Sequence, residues 1–426
     1  MSLAVLLLHL GCGRPPVDPL QKDRDALRAL LQRAPQAPQG WPQEASLLVG
    51  KPLLLKQLRA ALDAKLQNGG QPMTYTSSYG EVLLSPRLVL EDVLFLKVNG
   101  CATCVEAQLT LSGDVGAVLQ NAKGMLALMT GTEFTLPVKG SVVATFEITS
   151  TRQERATDDG GVQRMLVVNA APRPGSWQVS LTSSSLPDAI AAEVDAWMAS
   201  QFSKAIQSGR VAPVEVAQLP EQGAVRLKAV RARPARTGLV LDVAFMTLAP
   251  GHVVDLDTHP RGKSNGWVAA VSDATLLQVA RAAALASPVD KLEDGDFVVE
   301  PSDVRIQDGK LTLQMRLWRY QAEPEFRTYE VDVEVRVVDD GEGAKVAFEA
   351  VDSRQVGEGG GFTLDPLQLV VRHAVLAKLS ETMEQVLPAQ HQNDVGDFAL
   401  HTKVTDVVLD DHTLFLYGTA ALRPRS

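Results

Sequence analysis

Runs of strictly alternating apolar and polar residues limit the fold of this chain more than any other feature. In Tyr329–Val337, tyrosine and valine occupy every second position, and charged residues fill the positions between them. Leu311–Trp318 has the same pattern. Because successive side chains of a strand point to opposite faces, such runs predict antiparallel sheets with one buried face and one face in water. A parallel sheet is disfavoured, since its strands are buried on both faces.

The predicted elements occur twice in the same order, as expected for a duplicated chain. Each half opens with a short strand and a helix, in Leu47–Leu62 and in Trp267–Leu285, where Ser272 is the predicted N-cap. Each half closes with two strands of equal spacing, in Val225–Val243 and in Leu400–Tyr417. Between these units, alternation predicts further strands at Leu88–Val98, Val105–Leu111, Val142–Thr149, Met165–Asn169, Trp177–Leu181, Val304–Ile306 and Lys345–Val351.

A segment before each closing pair has apolar residues at helical spacing, which predicts two long amphipathic helices. Their capping residues are expected near Ser185 and at Asp365. The apolar stripes of these helices are the candidates for contact with a hydrophobic ligand, and ordinary core packing is their alternative role. The stripes comprise Ile190, Val194, Trp197 and Phe202 in the first helix, and Leu369, Leu376, Leu379 and Met383 in the second.

The order of elements and the apolar spacing over residues 45–422 resemble the tubular lipid-binding (TULIP) superfamily, which includes bactericidal/permeability-increasing protein (BPI). They also resemble bacterial lipoproteins of unknown function. The resemblance implies an α+β fold of two tandem repeats, each with a long helix packed in a highly curved antiparallel sheet beside a groove for acyl chains. It brings no general set of catalytic residues, and no cofactor is expected. The expected segments are a signal at 1–12, a tether and short helix at 13–44, a first BPI-like repeat at 45–250, a linker at 251–265 and a second repeat at 266–426.

The first twelve residues are almost continuously apolar and end in Gly11 and Cys12. They resemble the signal of bacterial lipoproteins, in which the chain is cleaved at a cysteine that is then lipidated. His9, Leu10 and the lack of a basic residue before the apolar run depart from that pattern, and a short buried strand is the alternative. The resemblance implies a lipid anchor on Cys12, and Gly13 in place of aspartate implies attachment to the outer membrane in the periplasm.

Cys101 and Cys104 form an even pair once Cys12 is assigned to the lipid. An oxidising periplasm would allow a disulfide between them. The two cysteines lie between predicted strands rather than at the start of a helix, so a structural disulfide is favoured over redox catalysis. A zinc site would need two more ligands, and the sequence has no second Cys-x-x-Cys motif.

Several other motifs could carry chemistry, but each has a simpler explanation. Gly262–Gly266 matches the G-x-S-x-G nucleophile motif around Ser264, yet a strand pattern follows where that motif needs a helix. Gly357–Gly361 lacks the lysine of a phosphate-binding loop. Asp255, Asp257 and His259 could form part of a metal site, but a solvated linker is favoured there. His373 could be a base on the second long helix, but a helix-surface or core position is favoured. Neither an enzyme activity nor a metal site is expected.

The formal net charge of the chain is −9, and it has no run rich in lysine and arginine. Nucleic acid is disfavoured as a partner, because its phosphates require a basic surface. Two hypotheses follow for a protein held to the membrane by its acyl anchor. It either binds or transfers a lipid or other hydrophobic ligand, or it is a non-catalytic scaffold with filled grooves that binds an envelope protein.

Overall fold

A computed structural model gives the structure of the chain. It describes residues 19–32, 45–56, 58–59, 73–77, 80–121, 130–156, 162–173, 178–183, 214–221, 227–245, 266–285, 297–319, 325–339, 344–359, 390–395 and 398–424, together with the single positions 123, 128, 175, 176, 196, 200 and 256.

The described residues form three short helices and eighteen strands. The helices are α1 (Pro19–Gln32), α2 (51–56) and α3 (Asp273–Leu285). The first strands are β1 (Ala45–Gly50), β2 (Met73–Ser77), β3 (Gly80–Lys97), β4 (Cys104–Gln120), β5 (Glu133–Ala156), β6 (Val162–Pro172), β7 (Gln178–Ser183), β8 (Val214–Glu221), β9 (Leu227–Ala235) and β10 (Gly238–Phe245). The others are β11 (Trp267–Ser272), β12 (Phe297–Gln307), β13 (Lys310–Arg319), β14 (Glu325–Asp339), β15 (Ala344–Gly359), β16 (Gln390–Val395), β17 (Phe398–Asp410) and β18 (Thr413–Pro424).

These strands form three antiparallel sheets. The central sheet has the order β16-β17-β18-β11-β1-β10-β9, and the short sheet has the order β12-β13-β14-β15. The long sheet has the order β2-β3-β4-β5-β6-β8, with β7 paired to β5. In the central sheet β1 and β11 are neighbours, with the hairpins β9–β10 and β17–β18 on either side of them. The expected domain boundaries stay a prediction.

The central sheet is buried on both faces near β1. Leu48 lies between Val240 and Val268 on one face, and all three side chains are buried. Val49 lies on the other face beside Leu239. A strand buried on both faces requires a continuous apolar run, which explains the sequence of β1.

One large apolar cluster joins the three sheets and α3, and it is called the main cluster below. Its members from the central sheet include Leu241 and Leu414, and α3 contributes Leu276 and Val279. The long sheet contributes Val105 and Ile148 at one end of its strands, and the short sheet contributes most of its buried apolar side chains. The members from the short sheet are Val304, Ile306, Leu311, Leu313, Met315, Val331, Val333, Val346 and Phe348.

The predicted α+β fold class is wrong. Of the described residues, 76% lie in strands and 14% in helices, and one of the sheets curls into a half barrel. None of the helices in the described ranges is a long amphipathic one. The physical reason is the length of the strands: β5 covers Glu133–Ala156, whereas alternation predicted a strand only over Val142–Thr149. Backbone hydrogen bonds continue a strand wherever a neighbouring strand is available, including positions where the side chains do not alternate.

The predicted strands themselves are confirmed, because each of them overlaps an observed strand. The predicted helix after the tether is confirmed as α1. The predicted N-cap of α3 is confirmed as well, because the backbone N–H of Thr275 donates to Oγ of Ser272 at 3.1 Å.

Gly113 shows how the long sheet bends. It has φ +152°, and a Cβ atom there would lie 2.1 Å from the carbonyl oxygen of Arg87 on β3. Only glycine permits this close approach of two backbones, and glycines inside strands mark such bends. Gly113 therefore helps the long sheet to curl around its buried face.

Candidate ligand-binding surfaces

The predicted groove residues lie outside the described part of the chain. This is true of all eight helix-stripe residues, of the predicted lipidation site, and of the serine, aspartate and histidine candidates for chemistry. They are Ile190, Val194, Trp197, Phe202, Leu369, Leu376, Leu379 and Met383, then Cys12, and then Asp255, Asp257, His259, Ser264 and His373.

The inner face of the long sheet, defined as the face that carries its buried side chains, consists of aliphatic residues along β4. Every second residue of this strand from Val105 to Leu119 belongs to that face. The strand pairs Leu88 and Leu90 of β3 on one side, and Val138 of β5 on the other. The inner residues of β4 are Val105, Ala107, Leu109, Leu111, Gly113, Val115, Ala117 and Leu119.

Part of this face forms an apolar cluster separate from the main cluster. Leu55 and Leu58, in and just after α2, and Val179 of β7 pack against it. Its members are purely aliphatic and buried, and they are three leucines, three valines and one alanine. This cluster is called the aliphatic patch, and it comprises Leu88, Leu90, Leu111, Val115, Ala117, Val138 and Val142.

An irregularity in β3 holds α2 beside the aliphatic patch. The pairing of β3 with β4 shifts between Leu90 and Asp92, and such a bulge redirects side chains and frees backbone groups. Nε of Arg59 donates to the carbonyl oxygen of Leu90, and Nζ of Lys51 lies 2.7 Å from the carboxylate of Asp92. The hydrogen bond from Lys51 lowers the pKa of Asp92.

A disulfide closes the turn between β3 and β4. Cys101 and Cys104 are bonded to each other, as predicted. The Thr103 carbonyl oxygen in this turn accepts a hydrogen bond from the backbone N–H of Ile148 at 2.8 Å. The disulfide thus stabilises a turn that is also hydrogen-bonded to β5.

The composition of the inner face of the short sheet changes from one end of its strands to the other. Near the central sheet it carries valines and leucines of the main cluster, such as Val333 and Leu313. Towards the start of β14 it carries Tyr329 and then Arg327, which share a face because they are two residues apart on one strand. This face therefore has an apolar portion and a polar end.

The turn between β17 and β18 joins three elements through His412. The backbone N–H of His412 donates to the carbonyl oxygen of Ile306 in β12, and the N–H of Asp273 donates to the carbonyl oxygen of His412. Nδ1 of His412 lies 2.7 Å from Oδ2 of Asp273. This hydrogen bond, with the negative charge of Asp273, raises the pKa of His412.

A buried carboxylate lies in the central sheet between β1 and β9. Asp242 is fully buried and accepts a hydrogen bond from Oγ of Ser46 at 2.7 Å. Arg231 and Arg233 each place Nε 3.0 Å from its Oδ2. These partners offset the cost of removing a carboxylate from water, so the group is a structural one.

The described residues contain neither a membrane-spanning helix nor a cluster of metal ligands. None of the helices there has the length and apolar character needed to cross a membrane. The same residues include no group of three or more histidine, cysteine, aspartate and glutamate side chains arranged to hold a metal ion.

Comparisons with known proteins find similarity only among solved structures. No protein-family model matches the chain, and no curated protein matches it by sequence. Among the solved structures that match is a lipopolysaccharide binding protein, with 11% identity and a TM-score of 0.32 over 90% of this chain and 99% of that one. A TM-score of this size carries no argument about ligands, so membership of the TULIP superfamily stays a prediction.

Sequence reasoning missed the aliphatic patch, although its signal was present. The predicted strand covers only Val105–Leu111, whereas β4 runs on to Gln120. Apolar residues nevertheless continue at every second position through Val115 and Ala117 to Leu119. The glycine at the bend interrupts the apolar series without ending the strand.

Proposed function

We propose that the chain binds an acyl lipid through the aliphatic patch of the long sheet. The observation that carries this proposal is the aliphatic inner face of β4, which from Leu111 to Ala117 belongs to a cluster separate from the main cluster. Acyl chains contribute binding free energy through apolar contact and need no polar partner. Ala107 and Ala117 place small side chains on this face, where a leucine would extend further from the sheet.

We further propose that the protein is a lipid-anchored, non-catalytic lipid-binding or lipid-transfer protein of the periplasm, attached to the outer membrane. The apolar segment before Cys12 supports lipidation at that residue. The Cys101–Cys104 disulfide supports an oxidising compartment, because disulfides persist there and are rare in the cytosol.

A scaffold with a filled interior is the second candidate function. The observation that favours it is the burial of the aliphatic patch, whose members expose between 1% and 4% of their surface. Tightly packed protein interiors have the same property.

Enlarging Ala117 separates the two functions. In a groove that holds lipid, Ala117→Phe occupies the space of the acyl chain and lowers lipid occupancy, while the lipid-free protein keeps its stability. In a filled interior the same change overpacks the core and costs about 1–3 kcal/mol of unfolding free energy. Val118→Phe is the matched control, because Val118 lies on the opposite face of β4.

The measurement is native mass spectrometry of the full-length protein extracted from bacterial envelopes in mild detergent, followed by lipid extraction and thermal unfolding. Denaturing mass spectrometry of the same sample distinguishes a covalent acyl group on Cys12 from bound lipid. A lipid adduct that is present in the wild type and in Val118→Phe, but reduced in Ala117→Phe, supports the proposal. A wild type without an adduct, together with a destabilised Ala117→Phe, would establish the scaffold instead.

A further inference from the structure

The helix α1 contains a buried arginine with two nitrogen atoms that form no hydrogen bond. Arg24 exposes 7% of its surface, and its Nε and Nη2 atoms have no hydrogen-bond partner among the described residues. Native proteins rarely bury a charged group in this way, because its removal from water is costly unless the group is paired. A partner of opposite charge would therefore stabilise the buried guanidinium.

The two unpaired atoms of Arg24 belong to the same edge of its guanidinium group. The Nε–H and one N–H of Nη2 point in parallel along that edge, which makes them a rigid fork of two donors. Such a fork matches two oxygen atoms of one carboxylate or phosphate group and binds them with two parallel hydrogen bonds. The ligand that fits this edge is therefore an anion with two adjacent oxygen atoms.

The carboxylates that act electrostatically on Arg24 are bonded to other residues. Burial and the positive charge of Arg28 lower the pKa of Arg24, and Asp25 and Glu300 oppose this shift more weakly. Oδ1 of Asp25 accepts a hydrogen bond from Nη1 of Arg28 at 3.3 Å. Oε2 of Glu300 accepts one from Nε1 of Trp318 at 3.0 Å. Neither carboxylate therefore pairs with the fork of Arg24.

The surroundings of Arg24 favour an anion with a single charge. Glu300 of β12 lies opposite Arg316 of β13 on the outer face of the short sheet, defined as the face turned away from the main cluster. The carboxylate of Glu300 repels negative charge, and this repulsion grows with the charge of the ligand. A phosphate group carries more than one negative charge at neutral pH, whereas a carboxylate carries one. A carboxylate is therefore the better match.

We propose that Arg24 binds the carboxylate group of a small molecule through its Nε and Nη2 atoms, at a site between α1 and the outer face of the short sheet. The planar carboxylate lies in the plane of the guanidinium and accepts one hydrogen bond from each atom. The low exposure of Arg24 fits a small ligand rather than the surface of a protein. This inference goes beyond the proposed function, because Arg24 is not part of the aliphatic patch.

The test compares Arg24→Lys with the wild type in the full-length protein, with sodium acetate as the probe. Lysine keeps the positive charge and removes the fork, and we expect affinity for acetate to fall about tenfold or more, the usual effect of a charge-assisted hydrogen bond. Saturation-transfer NMR of the acetate signal measures the affinity, with sodium chloride keeping the ionic strength constant. In protein with ¹⁵N-labelled arginine, the Nε–H signal that is absent from Arg24→Lys should shift with acetate and not with chloride.

Lys22→Gln is the matched control, because Lys22 lies on the same helix and is exposed. This variant removes one positive charge from α1 and keeps the fork, so it should bind acetate within about twofold of the wild type, since exposed charges are screened. Inorganic phosphate tests the ligand class: tighter binding of phosphate than of acetate would overturn the assignment to a carboxylate.

Three further outcomes would overturn the site. A wild type that does not bind acetate has no such site, and equal affinity in Arg24→Lys would show that the fork does not hold the ligand. The third outcome concerns Arg24→Met without acetate, which keeps an unbranched side chain and removes the charge. Its thermal midpoint should stay the same or rise, and a lower midpoint would show that the guanidinium is already paired within the protein. None of these results bears on lipid binding at the aliphatic patch.

Discussion

The long sheet and the short sheet contact opposite ends of the central sheet, through β9 and β17 respectively, but their interiors differ. The short sheet contributes most of its buried face to the main cluster, and the buried side chains of Leu317 and Tyr329 on that face lie outside it. The long sheet shares only one end with the main cluster, and its other end forms the separate aliphatic patch. The same alternating pattern thus yields a shared core in one sheet and a separate apolar compartment in the other.

Replacing one buried leucine of each sheet by alanine should give the largest difference in unfolding free energy between the two interiors. Leu313 of the short sheet and Leu111 of the long sheet are both buried on inner faces. We expect Leu313→Ala to lower the free energy of unfolding by about 3–5 kcal/mol, because it opens a cavity in a packed core. If the aliphatic patch holds lipid as proposed, Leu111→Ala in lipid-free protein should cost less than half as much, because it then enlarges a space that is already present. Chemical denaturation measures both losses, and equal values would remove the distinction between the two interiors.

Replacing a glycine by alanine in each of the two sheets tests the bend of the long sheet. At Gly113 an added methyl group meets the backbone of Arg87, which cannot move aside, and the positive φ angle adds strain. We expect Gly113→Ala to cost about 3 kcal/mol. In the short sheet a Cβ atom at Gly357 would lie 3.6 Å from Cβ of Thr328, an ordinary contact, so Gly357→Ala should change stability by less than about 1 kcal/mol. Thermal unfolding of the two variants provides the measurement, and a well-tolerated Gly113→Ala would argue against the close approach of β3 and β4.

The smallest expected effect is a pH dependence of the free energy of unfolding, and it is tested at the opening helices α3 and α2. His412 is bonded to Asp273 at the start of α3, and its pKa is raised. The contact between protonated His412 and Asp273 therefore stabilises the protein fully below the ordinary histidine pKa of ~6.5, and this stabilisation is lost as the pH rises through the raised pKa of His412. Both groups are near the surface, so the change should be no more than about 0.5 kcal/mol. His412→Ala should lower stability more at pH 5.5 than at pH 9, as measured by denaturant unfolding.

The corresponding pair near α2 serves as the comparison. Lys51 lowers the pKa of Asp92, so its stabilisation is present above ~4 and is lost only as the pH falls through that lowered value. Lys51→Ala should therefore cost the same at pH 5.5 and at pH 9. If His412→Ala also shows no difference between these two pH values, the contact between His412 and Asp273 does not stabilise the protein.

The strands and the disulfide could be predicted because their signals are local. Alternation in Tyr329–Val337 depends on neighbouring residues alone, and Cys101 and Cys104 are three positions apart. The extension of β5 and the requirement for glycine at Gly113 depend on which strand lies alongside, and the sequence does not state that. The sequence gives no sign that the Tyr329 hydroxyl is buried without a hydrogen-bond partner among the described residues, because this depends on the side chains of all the neighbouring strands.

The position of β1 in the central sheet also affects how the chain must fold. Ser46 of β1 bonds to Asp242, a residue 196 positions later, and β1 pairs with β11 further along the chain. Contacts between residues so distant in sequence close large loops, and proteins dominated by them fold slowly. During synthesis, the early strands of the long sheet can form hairpins as they emerge, but the centre of the molecule must wait for its second half. In that interval the apolar strand β1 is still unpaired, which exposes the chain to aggregation.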